Sequence, residues 1–169
     1  MSDESVDSIF LVDAGSPYLI TSSLPTIDRN LTIQAESTDV IVSASGDCSS
    51  HIGACWGIRV FTISSGATVS FEGFRIEKGY TGSTGGISNS GTLTLTSMVV
   101  YKNQGGCGGG IQNTASGVLT IVTSDISSNV AAGWCWAGGG VYNKGWLSLI
   151  NTTVSDNDAN DGGGIMNFD

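Results

Sequence analysis

In the C-terminal half of the chain, apolar residues alternate with small polar ones. The runs Gly91-Thr-Leu-Thr-Leu, Gly117-Val-Leu-Thr-Ile and Gly145-Trp-Leu-Ser-Leu put an apolar side chain at every second position. A period of two sends successive side chains to opposite faces, so each run predicts a short strand with one face buried. Each strand reaches a Gly or Asn within a few residues, and no segment sustains the 3.6-residue period of a helix.

The runs belong to a repeat. Four segments share a Gly-Gly-aliphatic-x-Asn core, at Gly85–Asn89, Gly109–Asn113, Gly139–Asn143 and Gly163–Asn167. Their aliphatic residues, Ile87, Ile111, Val141 and Ile165, are spaced by 24, 30 and 24 positions. Between the cores lie Gly-x-Leu-x-aliphatic and then aliphatic-x-x-Asn, with a more divergent copy at Gly66–Gly79. Aligned copies give three apolar columns: Val69, Leu93, Leu119, Leu147; Phe71, Leu95, Ile121, Leu149; and Ile76, Val100, Ile126, Val154. A polar column, Ser70, Thr94, Thr120, Ser148, runs between the first two.

A unit of about 24 residues cannot bury its own apolar face, but stacked on a neighbour it can. Equivalent positions then sit about 4.8 Å apart. The pattern predicts an all-β fold: a single-stranded, right-handed parallel β-helix (a β-solenoid, pectin-lyase-like) of about six rungs. Two Asn columns mark its corners: Asn89, Asn113, Asn143, Asn167 and Asn103, Asn129, Asn157. Stacked amides at such corners can hydrogen-bond up and down the stack. The expected organisation is a leader or tail at 1–8 and one β-helix domain at 9–169. Within it, divergent rungs occupy 9–86, with an inserted loop at 45–57, and regular repeats occupy 87–169. The last copy stops one strand into a new rung, so the chain reads as part of a longer solenoid.

Composition narrows the function classes. Gly supplies 25 of 169 residues without collagen's every-third spacing. Hydrophobic residues make up 40% against 12% charged, which disfavours disorder. Net charge is −9 and the six bases are scattered, which argues against a nucleic-acid partner. The longest apolar runs, such as Ile9 to Val12, are far too short for membrane insertion as a helix.

Four cysteines in a small Gly-rich chain suggest an oxidising, extracytoplasmic setting. Three pairings are open. Cys48–Cys55 closes a short loop, and Cys107–Cys135 joins equivalent loops of adjacent rungs at a spacing a disulfide can bridge. Four free thiols are the alternative. A metal site from Cys48, His51 and Cys55 would lack a fourth ligand.

Candidate chemistry is sparse. Trp134, Trp136, Tyr142 and Trp146 cluster near one insertion. They suit either stacking on sugar rings or packing over Cys107–Cys135. Asp125, Arg75 and Glu72 point outward, but no rung-to-rung carboxylate pair of the kind a glycosidase uses appears on a strand. Asp156, Asp158, Asn160 and Asp161 offer oxygen ligands near alternate positions, as a Ca²⁺ loop does, or form a solvated acidic corner. Otherwise no cofactor is expected. Thr92, Thr94 and Thr96 form one row of the kind ice-binding solenoids use, but the aligned rows carry Val118 and Trp146. Asn30-Leu-Thr32 and Asn151-Thr-Thr153 match glycosylation sequons.

The pattern GGGI-x-N…G-x-L-T-L…V-x-x-N resembles the right-handed β-helix repeats of bacterial secreted and surface proteins, of which the chlamydial polymorphic outer-membrane proteins are the best known. The run from Ile9 through Leu24-Pro-Thr-Ile-Asp-Arg-Asn-Leu-Thr-Ile33 looks like their opening rungs. The resemblance implies a non-catalytic extracellular or cell-surface module, adhesin- or stalk-like, contacting a host or cell-surface glycan or protein through corner loops. A polysaccharide-degrading lyase or hydrolase of the β-helix class is the alternative expectation, and an ice-binding solenoid a further one.

Overall fold

In the computed structural model, which describes residues 7–45, 57–133, 135 and 137–168, the chain winds through six turns of parallel β-structure. The first turn supplies β1 (Asp7–Leu11) and β2 (Tyr18–Ile20). The second supplies β3 (Leu31–Ala35), β4 (Ile41–Ala44) and β5 (Phe61–Ile63). The third supplies β6 (Thr68–Glu72), β7 (Arg75–Glu77) and β8 (Ile87–Asn89). The fourth supplies β9 (Thr92–Thr96), β10 (Val99–Tyr101), β11 (Gln104–Gly105) and β12 (Ile111–Asn113). The fifth supplies β13 (Val118–Val122), β14 (Asp125–Ser127), β15 (Val130–Ala131) and β16 (Val141–Asn143). The sixth supplies β17 (Trp146–Ile150), β18 (Thr153–Ser155) and β19 (Ile165–Asn167). The only helical element among the described residues is a 3-10 turn at Asp13–Gly15.

Every strand pairs in parallel with its counterpart one turn away, giving three sheets. The first is β1-β3-β6-β9-β13-β17, the second β2-β4-β7-β10-β14-β18 and the third β5-β8-β12-β16-β19. The pair β11–β15 forms a narrow strip between the second and third. This is the parallel β-helix that the repeat predicts. The three apolar columns are in register, and the first two continue back through Leu31 and Ile33 of the second turn. Except for Leu149, exposed in the last turn, their side chains fill the interior together with an aromatic cluster of Phe61, Phe71 and Phe74, whose ring centroids lie 4.7–6.3 Å apart.

The corners are held by side-chain amides. Asn103 Nδ2 donates to Asn129 Oδ1 at 3.1 Å and Asn129 Nδ2 to Asn157 Oδ1 at 2.9 Å. The same oxygens accept the backbone N–H of the residue one turn below, so each Asn closes its own corner and tethers the next. The second ladder runs Asn89→Asn113→Asn143→Asn167 at 2.7–2.8 Å. Asn89, Asn103, Asn113, Asn129 and Asn143 are buried in the solenoid wall, while Asn157 is half-buried and Asn167 exposed in the last turn. Asn89, Asn113 and Asn129 are fully buried, and a buried amide without partners would cost roughly 1–3 kcal/mol. Gly110 explains one conserved feature of the repeat unit. A Cβ there would lie 2.7 Å from Gly140 O and 3.0 Å from Asn129 Cγ, so the Asn ladder packs directly on the glycine backbone.

Two further columns take left-handed backbone. Gly73, Ser97, Thr123 and Asn151 turn the chain from the first sheet to the second, with φ of 78°, 52°, 49° and 49°. Lys78, Lys102, Ser128 and Asp156 do so at the next corner. This conformation costs an L-residue about 1–2 kcal/mol, and a β-branched side chain is the poorest fit. Thr123→Asn is therefore expected to raise stability by about 1 kcal/mol, seen as a melting temperature about 2–4 °C higher. An unchanged or lower melting temperature would contradict this account of the corner.

Four of the six extra residues of the longer repeat fall at one corner. Val130 and Ala131 pair with Gln104 and Gly105, and Cys107 pairs with Ala137, so a five-residue bulge on this turn stands against the single Gly106 of the turn before. Cys135 lies in that bulge and is bonded to Cys107, with their Cα atoms 5.2 Å apart. Cys48, His51 and Cys55 lie outside the described residues, and with them the Cys48–Cys55 pairing and the metal alternative.

Candidate functional site

The structure separates Tyr142 from Trp146, two of the four aromatic residues that the sequence grouped. Tyr142 points outward from β16 but is only 4% exposed. The disulfide-tethered corner folds back over the third sheet, and Cys107, Cys135, Ala137 and Met166 enclose the ring. Lys144 Nζ lies 5.2 Å from the ring centroid and Phe168 6.1 Å. Tyr142 thus takes the second of the two roles open to the cluster, packing against the Cys107–Cys135 corner. Trp146 stands on a different sheet, at the start of β17, and is 57% exposed. Trp134 and Trp136 lie outside the described residues.

The Ca²⁺ ligand set is not assembled. Among the described residues, no three His, Cys, Asp or Glu side chains converge to hold a metal ion. Asp158 pairs with Val130 and Asp161 with Ala137, at successive positions of an open corner, while Asp156 occupies a left-handed turn.

Outward side chains of the first sheet form a broad flat face. Its central column is hydroxylic on all six turns: Ser8, Thr32, Ser70, Thr94, Thr120 and Ser148. Beside it run Thr68, Thr92, Val118 and Trp146 on one side, and Phe10, Gln34, Glu72, Thr96, Val122 and Ile150 on the other. Glu72 is the only ionisable group among these outward strand residues, and it accepts a hydrogen bond from Gln34 at 3.0 Å. Val118, Trp146 and Ile150 make the C-terminal part of the face apolar and exposed.

The second sheet carries a different surface. Arg75, Val99, Tyr101, Asp125 and Ser127 line an open concavity of about 400 Å³. Register brings them together: Arg75, Val99 and Asp125 form one outward column, and Glu77, Tyr101 and Ser127 the next. Arg75 lies over the Tyr101 ring at 5.6 Å and Lys102 Nζ at 4.9 Å. Contact with Tyr101, chiefly hydrogen bonding to its side chain, raises the Lys102 pKa above the ordinary lysine value. Glu77 is buried and holds Lys78 Nζ at 3.3 Å, with Ser43 Oγ donating to it at 3.4 Å. Ser127 donates to Asp125 Oδ1. Glu72 and Asp125, the two outward carboxylates noted from sequence, stand on different sheets. The sequence comparison missed Tyr101 and Lys102. The signal was present in the outward position two residues from Arg75, read one rung on.

Class and geometry therefore define a parallel β-helix with a flat hydroxyl-and-aromatic face beside a charged concavity. No protein-family model, curated protein or solved structure matches the chain. Among the described residues, no helix is long and apolar enough to cross a membrane, and the Cys107–Cys135 disulfide is consistent with an oxidising compartment.

Proposed function

We propose that this chain is a non-catalytic, extracytoplasmic solenoid module that adheres to polysaccharide through the outer face of its first sheet. The observation that carries the reading is the face itself. Six hydroxyls in one column repeat at the rung spacing, and an exposed indole, Trp146, lies in the column beside them. Hydroxyls exchange hydrogen bonds with sugar hydroxyls, and an indole offers a flat apolar surface for a sugar ring. Neither group moves protons near neutral pH, so the chemistry of the face is contact. The disulfide and the resemblance to surface β-helix repeats support the location.

Co-sedimentation with microcrystalline cellulose and chitin tests this. Saturable retention is expected, and Trp146→Ala should weaken it about tenfold, or ~1.4 kcal/mol, without changing the melting temperature. Lack of retention on both polymers, or unchanged binding by the variant, would contradict it.

A further inference from the structure

We infer that the concavity on the second sheet is a separate binding site for a glycan bearing oxyanions, either carboxylates or sulfate esters. Charge distribution is the first argument. The chain carries six basic residues against fifteen acidic ones, yet Arg75, Lys78 and Lys102 gather around this one surface. The others are engaged elsewhere: Arg29 pairs with Asp28, Arg59 donates to Thr84 O, and Lys144 covers Tyr142.

The state of Arg75 is the second. Its guanidinium carbon lies over the Tyr101 ring, 5.6 Å from the centroid. Its closest carboxylate oxygen, on Glu77, is 3.9 Å away, beyond hydrogen-bond range, and Glu77 is already engaged by Lys78 and Ser43. Arg75 Nε is shielded from water and has no partner among the described residues. No hydrogen bond from the guanidinium is made among the described residues, and a planar fork of donors is the group that recognises carboxylate and sulfate oxygens. Lys102, exposed beside it, adds a second cation.

The far end of the concavity sets the ligand class. Asp125 and Ser127 offer acceptors suited to sugar hydroxyls. Anionic recognition at Arg75 and hydroxyl recognition at Asp125 stand two rungs apart, about 10 Å along the axis.

Affinity electrophoresis of the whole chain through gels containing polygalacturonate, dextran sulfate or plain dextran tests the site. Retardation is expected with one or both charged polymers and not with dextran. Because the contact at Arg75 and Lys102 is an attraction between opposite charges, retardation should fade as salt rises. Arg75→Gln should weaken binding at least tenfold and Lys102→Gln about threefold. Lys102 is on the surface, so its variant keeps the test valid if Arg75→Gln alters folding. Free migration through both charged gels would overturn the proposal. So would equal retardation by dextran, or wild-type binding by both charge variants. Which charged polymer binds separates carboxylate from sulfate as the recognised group.

Discussion

Asn129→Ala is expected to lower the unfolding free energy by about 3–5 kcal/mol, because one side chain serves three turns of the solenoid. Asn129 Oδ1 accepts from the Asn103 backbone N–H at 3.0 Å and from Asn103 Nδ2 at 3.1 Å. Its Nδ2 donates to Val100 O and to Asn157 Oδ1, both at 2.9 Å. Alanine leaves the buried Asn103 N–H without its acceptor and opens a cavity beside Gly110. Asn129→Asp separates donor loss from cavity formation. It keeps the shape but sets a carboxylate oxygen against Val100 O and Asn157 Oδ1, which disfavours ionisation and raises its folded pKa above the unfolded value of about 3.9. The sign follows: the penalty is smallest below about pH 4, where both states are protonated, and grows as pH rises. Urea melts at pH 4 and pH 7 would show it, and a pH-independent loss would mean that the donors of Asn129 do not matter.

Replacing Cys107 and Cys135 together by Ser is expected to cost about 3.5 kcal/mol. The bond closes a loop with a sequence separation of 28, and removing it returns that loop entropy to the unfolded chain. It also releases the corner that covers Tyr142, so the ring should gain exposure to solvent. Denaturation midpoints together with tyrosine accessibility would test both halves. A wild-type midpoint, or a ring as protected as before, would show that rung stacking alone holds the corner.

Much of the fold was legible because the repeat is written twice, once in the alternation and once in the corners. Leu93, Leu119 and Leu147 fall in register because each follows a Gly by two residues and an Asn by four to six. The first two turns were harder to align. Ser8 and Thr32 belong to the hydroxyl column, but no Gly-Gly-aliphatic-x-Asn core marks their rungs. Left-handed corners at Lys78 and Thr123 carry no local signal either, since neither residue type favours that conformation.

The site was less legible than the fold, for a physical reason. Closeness in sequence does not imply a shared face in a solenoid. Tyr142 and Trp146 are four residues apart, yet a corner sends one beneath a disulfide loop and the other onto an open sheet. Arg75, Tyr101 and Asp125 are about 25 residues apart in succession and meet on one surface, because each turn of the chain returns to it. Aromatic clustering along the chain was therefore a weaker guide than the outward columns.

The central claim is contact with polysaccharide without turnover, and one measurement addresses both parts. The protein is incubated for a day with a panel of soluble neutral and acidic polysaccharides, and bound fraction and polymer mass are read from the same size-exclusion run. The account predicts co-elution with at least one polymer whose mass stays unchanged. Progressive shortening of any polymer, lost in Asp125→Asn, would contradict it and make the second-sheet concavity a catalytic site.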